Sequence, residues 1–120
     1  MIFLDSCILI DYVNGKISLD SGLVDDFCIN SIVEMELIAG ARDKRDLNII
    51  NKKISAFYIV DIDQDILTLA RDLMFKYKLS HNMSIYDSII AATCMIYNIE
   101  LYTYNKKDFK FLDNLILRDL

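Results

Sequence analysis

The chain has 120 residues, with no proline, three glycines, three cysteines and one histidine. Each shortage removes a class of explanation. With no proline and only Gly15, Gly22 and Gly40, the sequence offers no linker, no low-complexity segment and no repeat. The expectation is one domain over residues 1–120. With His81 as its single histidine, it lacks the ligands of an ordinary His/Cys zinc site. Cys7, Cys28 and Cys94 are odd in number, widely spaced and without a CxxC pair. That pattern points to reduced, mostly buried thiols in a cytoplasmic protein. No apolar run approaches the roughly 18 residues of a membrane span. The opening MIFLDSCILIDY lacks a positive region and holds two aspartates, so it does not read as a secretory signal. Positive charge is also short: 13 Lys and Arg stand against 18 Asp and Glu, a net charge of −5. That excludes a nucleic-acid binder relying on bulk positive charge. It leaves open an enzyme that holds phosphates through metal ions, and it favours a basic protein partner.

Apolar residues are plentiful. They make up 54% of the chain, above the roughly 45–50% usual in soluble domains, so a sizeable core is available. Met1 to Asp5 reads as a strand, and Ser6 as the cap of a helix through Val13 that stops at Asn14-Gly15. Ser18 to Phe27 reads as a second short helix, and Cys28 to Asn30 as a strand. Ser31 and Glu34 form a capping box that opens a helix to Ala41. Asp43 to Ser55 is helical, and Ala56 to Val60 is strongly β-prone. Asp63 opens an amphipathic helix marked by Ile66, Leu67, Ala70, Leu73, Met74 and Tyr77. A loop is expected at Leu79 to Met83. Ser84 then opens a central helix, apolar on nearly every side, through Tyr97. Ile99 to Tyr104 is a strand, and Leu115 to Leu117 a short last one. Strands alternating with helices imply a three-layer α/β/α fold around a mostly parallel sheet. Ligands of such sheets bind beyond the carboxyl ends of the strands.

Four acids stand where acids are poor choices for folding. Asp5 ends the first apolar run. Glu36 interrupts Ile32 to Ala39, with Ile32, Val33, Ala39 and Gly40 as its helical neighbours. Asp87 precedes Ile89-Ile90-Ala91-Ala92, although Ser84-x-x-Asp87 also fits a weak capping box. Asp108 follows the last long strand, where it also reads as an ordinary turn acid. Lone buried carboxylates are costly, so acids scattered along apolar segments are expected to gather around a cation. Two like charges about 4 Å apart repel by roughly 4 kcal/mol at an effective dielectric of 20. Hard divalent cations with oxygen ligands, Mg²⁺ or Mn²⁺, fit best. Besides capping a helix, Ser6 is a candidate to touch a metal-bound water through its hydroxyl, and Asn105, a turn former, is a candidate to orient a carboxylate. Asp11, Asp25, Asp26, Asp43, Asp46, Asp63, Asp65 and Asp72 read as solvated, and Asp61 stands in reserve at a strand end. Arg42, Lys44, Arg45, Lys52 and Lys53 form the densest basic stretch, which reads either as a phosphate contact or as a solvated helix face.

The same residues carry a resemblance. Leu4-Asp5-Ser6-Cys7-Ile8-Leu9-Ile10 is similar to the LD-[ST]-N-x-L-I opening of PIN domains. Glu36-Leu37-Ile38-Ala39-Gly40-Ala41 resembles the E-L-x-x-G-A segment of their VapC-type members. Asp87-Ser88-Ile89-Ile90-Ala91-Ala92-Thr93 resembles D-x-x-I-A-A-T, and Thr103-Tyr104-Asn105-Lys106-Lys107-Asp108-Phe109 resembles T-x-N-x-x-D-F. The matches come in family order and span nearly the whole chain. The resemblance implies an α/β/α fold and an endoribonuclease dependent on Mg²⁺ or Mn²⁺. It implies a homodimeric toxin paired with a basic antitoxin that wraps it. It assigns Asp5, Glu36, Asp87 and Asp108 to the metal site. One departure is Cys7, where the family carries asparagine.

Two other classes compete. A receiver-type signalling domain requires an acidic pair after the first strand and a lysine followed by proline near the last. Asp5 has no acidic neighbour and the chain has no proline, although Asp61 stands after the third strand. A degenerate PIN-like scaffold would keep the partner and lose the chemistry.

Overall fold

The computed structural model describes residues 1–19 and 26–118. Its elements run β1 (Ile2–Leu4), α1 (Ser6–Val13), β2 (Phe27–Ile29), α2 (Ser31–Ala39), α3 (Lys44–Ile54), β3 (Tyr58–Ile59), α4 (Gln64–His81), α5 (Ile85–Tyr97) and β4 (Glu100–Tyr102). The strands form one sheet in the order β3-β2-β1-β4, and every pairing is parallel. The short hydrophobic strands explain the arrangement. Phe3, Leu4, Cys28, Ile29 and Leu101 are fully buried, as expected of a parallel sheet covered by helices. Each large apolar side chain buried this way contributes about 1.5–3 kcal/mol before chain entropy is counted. Helix α5 is the most enclosed, with Ile90, Ala91, Ala92, Thr93 and Cys94 essentially inaccessible.

The register places the site. Leu4 pairs with Tyr102, so the next residues, Asp5 and Thr103, lie side by side beyond the two strands. Asp5 N–H continues the ladder to the Tyr102 carbonyl at 3.0 Å. On the other side Phe3 pairs with Cys28, which puts Asn30 at the matching position past β2. Three buried polar residues therefore follow three adjacent strand ends.

Several expectations are corrected in detail. Asp5, not Ser6, caps α1 by accepting from the Ser6 N–H. Asn30, not Ser31, caps α2 by accepting from the Val33 N–H. In both cases the residue that ends a strand also opens the following helix, and its carboxylate or amide is the better acceptor at that point. Helix α2 ends at Ala39 with Gly40 as its cap. The loop expected from Leu79 to Met83 is mostly helix. Nothing in Leu79, Ser80 or His81 breaks α4, which stops at Asn82 in the left-handed region (φ 51°). Strand β3 is reduced to two residues because it is an edge strand with β2 as its one neighbour. Leu117 forms a single parallel bridge to Leu101 in place of a full last strand. Of the helix expected from Ser18 to Phe27, residues 20–25 lie outside the described residues, and Phe27 itself opens β2.

Candidate active site

Asp5 is the floor of the site. It is 2% exposed, and a carboxylate so placed requires donors. Its Oδ1 accepts from Ser6 N–H at 2.7 Å and from the Tyr86 hydroxyl at 2.8 Å. Its Oδ2 accepts from the Thr103 hydroxyl at 2.8 Å, with the Cys7 thiol at 3.9 Å. The donors are themselves held. Asn105 N–H donates to Thr103 Oγ1 at 3.0 Å, and Tyr104 N–H reaches Cys7 Sγ at 3.5 Å. Ser6 N–H also lies 3.3 Å from the Tyr86 oxygen. Ser6 and Asn105 thus serve the site through their backbone amides. Cys7, at the position where asparagine was expected, sits between Asp5 and Thr103, 3.5 Å from the latter's hydroxyl. Burial raises the Cys7 thiol pKa above its ordinary value, with the Thr103 hydrogen bond pulling the other way.

Asp87 shows how the acids interact. It lies in the first turn of α5, and its N–H donates to Ser84 Oγ at 3.0 Å. Its carboxyl is half-buried and its pKa is pushed up to about 6. Burial is the largest cause, followed by the charges of Asp5 and Asp108. Glu36 adds to them, while Ser84 opposes the shift. Asp5, Glu36, Asp87 and Asp108, from four separate segments, therefore share one electrostatic neighbourhood. Glu36 and Asp108 are exposed and form its rim. Among the described residues, no three His, Cys, Asp or Glu side chains close into a ready metal cage. The donor set is all oxygen and negatively charged. It suits a hard cation that keeps several waters and binds through one or two carboxylates, as Mg²⁺ does.

Glu36 borders a groove of about 340 Å³ between α1, α2 and α3, lined also by Ile10, Leu37, Arg42 and Asp46. Arg42 is committed to Asp46 at 2.9 Å, and Lys53 lies over the Tyr12 ring at 5.2 Å. Lys44, Arg45 and Lys52 are exposed on α3 and line none of the described cavities. Most of the basic stretch is therefore a solvated helix face. Of the acids read as solvated, Asp43 and Asp63 are helix caps. Asp11 is half-buried and accepts from the Tyr104 hydroxyl at 3.0 Å. Asp25 lies outside the described residues. Asp61 sits beyond the edge strand β3, where its carbonyl accepts from the Tyr97 hydroxyl at 3.0 Å.

Sequence reasoning missed Tyr86, Thr103 and the buried pair Asn30 and Thr93. Asn30 Nδ2 donates to Thr93 Oγ1 at 3.1 Å, tying the end of β2 to α5. The available signal was positional: Asp5, Asn30 and Thr103 each follow a strand. It becomes readable once the strand order is known.

Residues 2–115 match the PIN domain family model. The chain belongs to the PIN-domain family. Within it, the chain is similar to Ribonuclease VapC2 of Methanocaldococcus jannaschii, 31% identical over 95% of this chain and 90% of that protein. Its fold matches the toxin–antitoxin complex from Klebsiella pneumoniae with a TM-score of 0.78 and 28% identity, covering 97% of this chain and 96% of that one. It also matches VapBC2 from Rickettsia felis, solved bound to a promoter DNA fragment. There the TM-score is 0.83 and the identity 25%, over all of this chain and 99% of that one.

Proposed function

We propose that this chain is a metal-dependent endoribonuclease, the toxin of a toxin–antitoxin pair, folded as a single domain over residues 1–120. The observation that carries the reading is that Asp5, Asp108 and Glu36, from three other segments, all act on the half-buried Asp87, adding to burial in raising its pKa to about 6. Carboxylates that repel one another favour a bound proton or a cation between them. The similarity to proteins named ribonucleases supports the activity. Asp5, Glu36, Asp87 and Asp108 are the residues that would hold Mg²⁺ or Mn²⁺. A divalent cation there would activate water and neutralise charge on the phosphodiester.

The chain's own contribution is placement. Ser6, Tyr86 and Thr103 fix both oxygens of Asp5, so the floor carboxylate enters the reaction already oriented. The exposed Glu36 and Asp108 are reachable by RNA from outside.

The partner reading follows from charge and surface. A chain of net charge −5 with a groove ending at Glu36, and with Ile10, Met35 and Ile38 exposed on α1 and α2, suits a basic, partly apolar antitoxin segment. The homodimer is supported by Phe75 and Ile85, 86% and 68% exposed, which a second copy would cover. Among the described residues no helix is long and apolar enough to cross a membrane, and the reduced thiols agree with a cytoplasmic location.

The test is cleavage of purified transfer and ribosomal RNA with Mg²⁺, Mn²⁺ or EDTA, with Glu36→Gln beside the parent chain. Discrete metal-dependent cuts are expected. Because Glu36 is exposed, the variant should keep its melting temperature and lose the cuts. Full activity in Glu36→Gln would overturn the site assignment. Tight antitoxin binding by a parent chain that cuts no RNA would favour the degenerate scaffold instead.

A further inference from the structure

A second cavity, of about 480 Å³, opens beside the acidic rim between the end of α4 and the turn after β4. It is lined by Ser80, His81 and Asn82 on one side and by Lys107, Asp108, Lys110 and Phe111 on the other. Asp108 belongs both to this wall and to the group of charges acting on Asp87, so the cavity and the acids share one residue. Its chemistry is the reverse of theirs. Lys107 and Lys110 are exposed, and among the described residues neither forms an ion pair. Other cations nearby are committed: Lys76 lies over the Tyr77 ring and Lys78 donates to Asn82. The imidazole of His81 is stacked on the Phe111 ring, with centroids 4.0 Å apart and planes 17° from parallel. Tyr77 buttresses Phe111 at 4.9 Å. His81 is exposed nonetheless, so a flat ring is held rigidly at the solvent boundary. Uncommitted lysines beside a braced ring are the two components of single-strand recognition: the first take phosphates, the second takes a base face.

We infer that this cavity is a substrate subsite that grips the RNA strand flanking the cut, Lys107 and Lys110 holding its phosphates and His81 stacking on a base. The inference rests on the endoribonuclease reading for the word substrate. It explains how a chain short of positive charge keeps a polyanion at an acidic centre: the cations are few but adjacent. The strand passes from Glu36 and Asp87 over Asp108 to the lysines.

The test has two arms. In the first, binding of a fluorescent single-stranded oligouridine is measured in EDTA across a salt series. The proteins are the parent chain, Lys107→Gln with Lys110→Gln, His81→Ala, and the charge-matched pair Lys44→Gln with Lys52→Gln. The subsite predicts that the first pair weakens binding and flattens the salt slope by about 0.7 per lysine lost. It predicts that His81→Ala weakens binding with the slope intact, and that the α3 pair leaves the slope unchanged. Equal effects from the two lysine pairs would mean diffuse attraction and overturn the inference, as would no binding by the parent chain. In the second arm, cleavage of transfer RNA with Mn²⁺ is followed. Loss of Lys107 and Lys110 should raise KM with little change in kcat. If the parent chain binds through these lysines yet cuts nothing, the nuclease reading fails and the strand-binding site stands. If it cuts and KM does not move, the subsite alone fails.

Discussion

The floor and the rim of the acidic site carry the same charge and are built in opposite ways. Asp5 is almost wholly buried, and both of its oxygens are engaged by Ser6, Tyr86 and Thr103. Glu36 and Asp108 stand exposed on separate segments. A buried carboxylate is tolerable only with a full set of donors, so the fold and the floor specify each other. An exposed one costs the fold little, and its position answers to whatever binds there. Stability should therefore respond to the floor and activity to both.

The largest break in that contrast is Asp5→Ala. It strands the buried Thr103 hydroxyl, removes the acceptor of the Tyr86 hydroxyl and leaves the Ser6 N–H only its longer contact with the Tyr86 oxygen. The expected cost is about 3 kcal/mol, read by urea unfolding, together with loss of cleavage. A variant as stable as the parent chain would show that the donors find other partners and that the floor is not specified as described.

Asp87 lies between floor and rim and sharpens the contrast through its sign. Its folded pKa of about 6 is above the ordinary 3.8. Between these values the folded chain keeps a proton that the unfolded chain has released. Stability from this group is therefore full below about pH 4, falls as pH rises to about 6, and stays lower above. Asp87→Asn should raise metal-free stability at neutral pH by about 1 kcal/mol, after screening of a half-exposed group, and by nothing at pH 4. It should abolish cleavage. Thermal melts at the two pH values check the first part. An equal effect at both would mean that the gain does not come from removing a half-buried charge beside other acids.

Tyr86→Phe gives the smallest effect. It removes one donor from Asp5 and keeps the ring. The expected loss is about 1 kcal/mol of stability, with weaker Mn²⁺ binding by calorimetry because Asp5 is less firmly oriented. Unchanged metal affinity would confine Tyr86 to packing.

The site was legible in the sequence to unequal depth. Asp5, Glu36 and Asp87 stood out because they end, interrupt or open apolar segments, which is a local property, whereas Asp108 read alone as an ordinary turn acid and was singled out by the family resemblance. Tyr86 and Thr103 did not stand out. A tyrosine in a helix's first turn and a threonine after a strand are ordinary choices, and their partner Asp5 lies 81 and 98 residues away in the chain. The capping errors share that cause. Ser6 and Ser31 are good caps in isolation, but Asp5 and Asn30 occupy the strand ends where the chain turns. Lys107 and Lys110 were passed over in favour of the denser run on α3. Density along a sequence counts charges without showing which of them Asp46 or the Tyr12 ring has already engaged.

By itself, the sequence determined the alternation of short apolar strands with amphipathic helices, and hence a parallel α/β fold, because side-chain periodicity is a local consequence of backbone geometry. It also marked four acids, Asp5, Glu36, Asp87 and Asp108, as candidates for a common site. The tertiary structure alone decided that β1 lies between β2 and β4, and so which residues meet beyond the strand ends. That order depends on burying several strands and helices against one another at once, and no local stretch of residues carries it.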